Sequence, residues 1–142
     1  DWGNADNYVK AVGVGECAGV VIDLVATLLF EAKDKLTFAQ EAFDDKKWSD
    51  AIYLAYAGFV NGAKALLLAE NEKTNHHAGI IDLFDTVFIG SKKIELGSDF
   101  KDLVYQIRAN EPSEAFAQKY IQDAIAFFGK IEAYRTKDLA NA

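Results

Sequence analysis

The sequence is short of cysteine, methionine and basic residues, and each shortage narrows what the chain can be. Cys17 is the only cysteine among 142 residues, so the chain alone can form no internal disulfide and no zinc or iron–sulfur site built from cysteines. This usage is compatible with a reducing, cytoplasmic compartment. Methionine is absent and the chain begins at Asp1, which favours an excised domain of a longer protein over a processed chain.

Positive charge is also in short supply. Lysine and arginine number 15 against 22 aspartates and glutamates, and the net charge is −7. Nucleic-acid binding depends on contacts from lysine and arginine to phosphates, and the adjacent basic residues are limited to the pairs Lys46-Lys47 and Lys92-Lys93. The composition therefore disfavours nucleic acid as a partner.

Long apolar runs are missing as well. The uncharged stretch 51–63 is shorter than the ~20 residues that a membrane span needs. The sequence shows no secretory signal with a basic start and an apolar centre. At 142 residues, of which 51% are apolar, the chain is typical of one globular domain. We therefore expect a cytoplasmic domain without a membrane partner.

Apolar residues recur with helical spacing from residue 20 onward. Residues 1–19 are punctuated by glycine, asparagine and aspartate, so we expect an irregular lead-in over 1–19 and a bundle over 20–142. Short connections favour antiparallel neighbours, which predicts an all-α, up-and-down antiparallel bundle of four main helices plus one short helix. Ser98 is placed to cap the short helix and Pro112 to begin the last. The predicted helices cover 20–43, 48–68, 76–88, 99–109 and 112–137.

The second predicted helix combines low charge with a stripe of small residues. Lys64 is its only charged residue between positions 51 and 69. Small side chains let another backbone approach closely, and a helix that is apolar nearly all round is usually buried nearly all round. The helix is therefore either central in the bundle or covered on one side by a second subunit. The candidate interface consists of the small residues Ala51, Ala55, Gly58, Gly62 and Ala65.

Several short segments follow one another in a characteristic order. They are AIYLAYA (51–57), AKALL (63–67), KT (73–74), HAGIIDLF (77–84), Arg108 and SEA (113–115). In order and spacing these segments resemble the HEPN superfamily of helical-bundle domains. The resemblance covers about 20–134 and implies the same bundle fold.

The resemblance also indicates where a catalytic site would lie. Many HEPN proteins are implicated in RNA cleavage, and these carry an arginine followed a few residues later by a histidine near the start of the last long helix. Arg108 stands at the matching place, but residues 109–115 contain no histidine. The pair is therefore broken, and Glu111 is the candidate substitute acid. Other HEPN domains are non-catalytic partners of nucleotidyltransferases, in which the bundle packs against the enzyme or dimerises.

A narrower resemblance concerns the segment GVGECAG (13–19), which leads into the first predicted helix. It resembles the junction of a HEPN-like extension at the C-terminus of bacterial nitrite/sulfite reductase-like proteins. That resemblance implies a parent reductase domain as a partner. A dinucleotide-binding turn is the alternative for these glycines, but their spacing departs from the fingerprint and no βαβ unit follows.

Three further side chains are candidate site residues. Cys17 is a candidate reactive thiol if it lies at a helix N-terminus, where the dipole lowers a thiol pKa, although Glu16 beside it opposes a thiolate. His76 and His77 are adjacent, so on a helix they point about 100° apart and do not readily share one metal ion. We expect no metal and no cofactor.

These features predict a non-catalytic interaction or regulatory domain that forms a homodimer or packs against a parent reductase domain. The nearly uncharged second helix and the broken Arg–His pair motivate this prediction. The alternative is a HEPN-type RNA-cleaving or nucleotide-binding domain with a degenerate active site, in which Arg108 and Glu111 would act together.

Overall fold

The computed structural model describes residues 14–70, 72 and 77–140, and every regular element within these ranges is a helix. The predicted all-α bundle, with four longer helices, is confirmed. The elements are α1 (Val14–Asp44), α2 (Trp48–Ala69), α3 (His77–Phe84), which continues as the π-helical turn Asp85–Ile89, α4 (Phe100–Val104), α5 (Gln106–Ala109) and α6 (Glu114–Ala140).

The first helix begins earlier than the sequence pattern predicts. α1 starts at Val14, so the irregular lead-in is corrected over 14–19, while residues 1–13 lie outside the described residues. Glycine weakens a helix by about 1 kcal/mol relative to alanine. A long following helix tolerates that cost, because adding residues to an existing helix is easier than starting one. The glycines at this end therefore weaken α1 without stopping it.

The short helix is split in two. A single helix over 99–109 was expected, but Tyr105 (φ −83°, ψ 8°) ends α4 and precedes α5. Two contacts tighten the chain here: the side-chain amide of Gln106 donates to the carbonyl of Leu103 (2.9 Å), and the Arg108 N–H donates to the carbonyl of Tyr105 (2.9 Å). The break sets the direction of the single turn that carries Arg108.

The small-residue stripe of α2 contacts other helices of the same chain. A Cβ atom added at Gly58 would lie 2.6 Å from Cδ2 of Leu36 in α1, and one added at Gly62 would lie 3.3 Å from Cε2 of Phe127 in α6. The exposed fraction is 0% for three alanines of the stripe, Ala51, Ala55 and Ala65. The five residues proposed as an interface are therefore used inside the bundle and offer no surface to a second protein.

By length and composition alone, α2 is the one helix in the described ranges that is apolar enough to cross a membrane. Most of its apolar window, 61%, is buried inside the bundle. A core helix passes the same compositional test, since it is also apolar nearly all round. We therefore interpret α2 as the core helix of the bundle.

Aromatic rings join α2, α3, α4 and α6 at the centre of the molecule. The ring centroid of Phe59 lies 5.2 Å from that of Tyr120 and 5.5 Å from that of Phe127. Phe100 lies 4.6 Å from Phe84 and 4.8 Å from Phe127. Tilted and offset ring pairs at these separations contribute stability beyond their burial. This cluster holds the short α4 against the long helices.

The N-terminus of α4 is capped by a distant residue. The carboxylate of Asp85, in the π-helical turn after α3, accepts hydrogen bonds from the backbone N–H groups of Phe100 (2.6 Å) and Lys101 (2.9 Å). The hydroxyl of Ser98, the predicted cap, instead donates to the carbonyl of Asp99 (3.3 Å). A carboxylate suits a helix N-terminus because it satisfies the free N–H groups and favours the dipole. Asp85 thus ties the end of α3 to the start of α4.

Candidate functional site

Arg108 lies on the surface, in the last turn of α5. Its guanidinium carbon Cζ is 3.7 Å from the ring centroid of Tyr105, a cation–π contact made possible by the three-residue spacing on a helical turn. Arg108 is exposed, and it forms no ion pair with a carboxylate of residues 21–70, 72 or 78–140, whose side chains the structure describes. Its charge is oriented by an aromatic ring without being neutralised by these residues.

Tyr56 of α2 interacts electrostatically with this arginine. The pKa of Tyr56 is raised, mainly by burial and then by the nearby hydroxyl of Tyr105, while the positive charge of Arg108 lowers it. The Tyr56 hydroxyl therefore interacts electrostatically with both residues. Tyr53, which also raises the pKa of Tyr56, precedes it by almost one turn and is 65% exposed. We call Tyr53, Tyr56, Tyr105 and Arg108 together the Arg108 face.

The opposite side of α5 is anchored to α6. The side-chain amide of Gln106 donates to Asp123 Oδ2 (3.1 Å). Lys119 Nζ donates to Gln106 Oε1 and to Asp123 Oδ2, at 2.7 Å in both cases. The charge of Lys119 is therefore compensated by Asp123, in contrast to that of Arg108. This network holds α5 in place and leaves the arginine facing outward.

A buried hydrogen bond fixes the end of α4. The hydroxyl of Tyr120 in α6 donates to the carbonyl of Val104 (2.6 Å), and both residues are fully buried. Burial raises the pKa of Tyr120 far above its ordinary value, so the hydroxyl remains a hydrogen-bond donor throughout the neutral range. The bond satisfies a helix-end carbonyl that water cannot reach.

Glu111 and the start of α6 lie just beyond Arg108. Glu111 is exposed in the connection between α5 and α6, and it makes no hydrogen bond or ion pair with Arg108. Ser113 caps α6: its Oγ accepts a hydrogen bond from the Phe116 N–H (3.1 Å). α6 therefore begins at Glu114, and Pro112 precedes the cap rather than lying in the first turn. The connection in which the resemblance predicts a histidine therefore ends in a helix cap.

The remaining predicted site residues, Cys17, His76 and His77, have side chains outside the described residues. The backbone of Cys17 is helical within α1, but its side chain lies outside the described residues. The same holds for the side chain of His77, and His76 lies wholly outside them. Among residues 21–70, 72 and 78–140, whose side chains the structure describes, no group of three or more histidine, cysteine, aspartate or glutamate side chains could hold a metal ion.

The tyrosines of the Arg108 face were not predicted from the sequence. Two spacings in the sequence could have indicated this face. Tyr53 and Tyr56 are three residues apart on α2, and Tyr105 and Arg108 are three residues apart at the break before α5. Residues at that spacing share one side of a helix. The interaction of Tyr56 with Tyr105 and Arg108 depends on the tertiary structure, which no local pattern encodes.

Comparison with known proteins agrees with the resemblance and narrows it. The HEPN domain family matches residues 25–138, which run from within α1 to the last turn of α6 and include Arg108. A protein of Methanocaldococcus jannaschii, named "Putative toxin MJ0605", is 30% identical over an alignment of 115 positions that covers 76% of this chain and 86% of that protein. The match covers most of the bundle, and the chain therefore belongs to the HEPN domain family.

Proposed function

We propose that this HEPN domain binds RNA through the Arg108 face and cleaves it poorly or not at all. The carrying observation is the exposed guanidinium of Arg108, which is stacked on Tyr105 and has no carboxylate partner among the described residues. The relative named as a putative toxin supports the proposal, as does the implication of many HEPN proteins in RNA cleavage. The missing histidine supports weak or absent turnover.

The chemistry of the Arg108 face suits RNA. A guanidinium group makes paired hydrogen bonds to phosphate oxygens, and tyrosine rings stack on unpaired bases. Tyr53, 65% exposed, offers an open ring almost one turn before Tyr56 on α2. The net charge of −7 opposes binding over the rest of the surface, so we expect weak binding that is strongest at low salt.

Binding of a fluorescent single-stranded RNA at low salt tests the proposal. We expect Arg108→Ala to weaken binding about tenfold, a loss typical of a charged contact. Lys137→Ala is the matched control, because Lys137 is an exposed residue of α6 whose removal changes the net charge equally. Wild-type protein that binds no RNA above background contradicts the proposal, as does an equal loss in both variants.

Cleavage is tested separately with the same RNA. We expect no product above a protein-free blank, because the histidine that would transfer a proton is absent. Cleavage that disappears in both Arg108→Ala and Glu111→Gln would instead identify Glu111 as the substitute acid of a degenerate but active site. Cleavage that survives both substitutions would indicate a contaminating nuclease.

A dimerising interaction domain is the second candidate function. Ile22 (44% exposed) and Phe30 (65% exposed) lie on α1 within about 80° of each other, since successive residues turn by about 100°. Exposed apolar residues on one side of a helix favour a partner surface. Sedimentation at micromolar concentration should give a dimer that Phe30→Asp dissociates. A wild-type monomer would contradict this candidate.

Two predictions from the sequence remain to be tested: a parent reductase domain as the partner, and a cytoplasmic location. Attachment to a nitrite/sulfite reductase-like protein is tested by the residues encoded before Asp1, where a sirohaem-binding domain and iron–sulfur cysteines would support it. The cytoplasmic location is tested by fractionating cells that contain the native protein.

A further inference from the structure

An open groove lies where α1 and α2 meet, away from the bundle centre. Its volume is about 380 Å³, which is within the range of small ligand sites. The turn at its end is well defined: the N–H of Lys46 donates to the carbonyl of Phe43, and the N–H of Lys47 donates to that of Ala42, both at 2.9 Å. Lys46 adopts the left-handed conformation (φ 62°) that commonly ends a helix. The groove is therefore preformed by the α1–α2 connection.

Two aromatic side chains line this groove and remain open to water. Phe38 is 48% exposed and Tyr53 is 65% exposed. Between them and the bundle interior lie Ala42 and Leu54, which are partly buried and pack against the core. Covering an exposed aromatic ring removes apolar area from water and is favourable by roughly 25 cal/mol per Å². The groove thus offers two rings to an apolar side chain of a partner.

The rim of the groove is acidic. Glu41, Asp45 and Asp50 line it together with a single basic residue, Lys47. None of the three carboxylates forms an ion pair with a residue of 21–70, 72 or 78–140. The rim therefore carries a net negative charge that a cationic partner would complement.

We propose that the groove binds a cationic segment of a partner protein, with one large apolar side chain packed against Phe38 and Tyr53 and flanking lysines or arginines facing Glu41, Asp45 and Asp50. Because Tyr53 belongs to both surfaces, the segment would lie beside the Arg108 face. The proposal goes beyond RNA binding and does not depend on it.

The charges favour this occupant over two others. RNA would bring phosphates against three carboxylates, which repel them. A second copy seated in this groove would bring a chain with a net charge of −7 against the acidic rim, and like charges placed together oppose association there. A basic segment of a different protein avoids both conflicts.

A synthetic peptide of sequence Lys-Gly-Lys-Phe-Lys-Gly-Lys is a suitable probe, with binding followed by amide shifts in NMR spectra at low salt. We expect shifts centred on residues 38–54. A peptide with alanine in place of phenylalanine should bind about tenfold more weakly, as expected for loss of an aromatic anchor. A peptide with glutamates in place of lysines should not bind.

Protein variants separate the two contributions. Phe38→Ala should weaken binding about tenfold, whereas Ile125→Ala, which removes a similarly exposed apolar residue of α6 (48%), should have no effect. Asp45→Asn combined with Asp50→Asn should weaken binding and reduce its salt dependence. Glu31→Gln combined with Glu132→Gln, at exposed positions outside the groove, is the charge-matched control.

Three results would overturn the proposal. One is equal peptide binding by the groove variants and their controls. The basic peptide would then bind the acidic protein non-specifically. Another is loss of RNA binding in Phe38→Ala, which would assign the groove to RNA. The third is a dimer that Phe38→Ala dissociates, which would assign it to a second copy of the chain.

Discussion

The interior around α2 and the segment that carries Arg108 are held together in different ways. α2 is fixed by close apolar packing, with Gly58 against Leu36 and Gly62 against Phe127. The segment from Asp85 through α5 buries few apolar side chains, and individual hydrogen bonds hold it in addition. Close packing resists any change of shape, whereas a polar contact can be removed singly. The scaffold and the candidate site can therefore be perturbed separately.

Truncation of the central aromatic cluster should have the largest effect. Phe59→Ala removes the ring that contacts Phe100, Tyr120 and Phe127, and we expect the free energy of unfolding to fall by about 3–5 kcal/mol. Urea denaturation followed by circular dichroism measures the change. Ile125→Ala, at an exposed position, should change it by less than about 0.5 kcal/mol. Similar losses in the two variants would remove the distinction between the interior and the surface.

Loss of the distant cap should be the next largest effect. Asp85→Ala leaves the N–H groups of Phe100 and Lys101 without their acceptor, so we expect a loss of about 1–2 kcal/mol in unfolding free energy. RNA binding should weaken as well, because the cap positions the segment that ends in Arg108. Unchanged stability would show that the segment is held by apolar contacts alone.

The Asp85 cap should also affect how the free energy of unfolding depends on pH. Burial raises the pKa of Asp85, the hydrogen bonds from Lys101 and Phe100 lower it, Asp99 and Asp102 raise it, and the net shift is upward. The folded state therefore binds a proton more readily than the unfolded state. The part of the stability that comes from protonation of this carboxyl is full below its unfolded pKa and is lost as the pH rises through its folded pKa. The unfolding free energies of Asp85→Asn and wild type should be compared in acid as the pH rises. We expect wild type to lose this contribution and the variant to show no such loss.

Removal of the buried tyrosine hydroxyl should have a smaller effect. Tyr120→Phe keeps the ring against Phe59 but leaves the carbonyl of Val104 without its donor, and we expect a loss of about 1 kcal/mol. Amide exchange around α4 should accelerate more than exchange in α2. Uniform acceleration across the bundle would mean that the bond stabilises the whole fold and not the end of α4.

Two glycines provide the smallest and sharpest test, because they should respond with opposite signs. A Cβ at Gly58 would lie 2.6 Å from Leu36 Cδ2, whereas one at Gly129 would have no neighbour within 4 Å. Alanine raises helix propensity by about 1 kcal/mol at either position. We expect Gly129→Ala to stabilise by about 0.5–1 kcal/mol and Gly58→Ala to destabilise by about 1 kcal/mol after overpacking is included. Stabilisation by both changes would show that α1 can move away from α2.

Much of the bundle was predictable because its signals are local. The helical period of apolar residues predicts α2, α3 and α6, and the order of short segments with Arg108 predicts the HEPN family. The loss of the histidine after Arg108 can also be read directly from the sequence. The cap of α4 could not, because Asp85 acts from fifteen residues before Phe100 and a nearer candidate, Ser98, was available.

The sequence by itself determined the long helices, whose apolar patterns are local, and the absence of a histidine after Arg108. It also determined the family, through the order of segments along the chain. Tertiary structure alone decided which helix covers which face. It buried the small residues of α2 inside the chain, brought Tyr56 into electrostatic interaction with Arg108, and left Phe38 and Tyr53 open above an acidic rim. A helical pattern states that a face is apolar, but the element that covers it is set by the packing of the whole bundle.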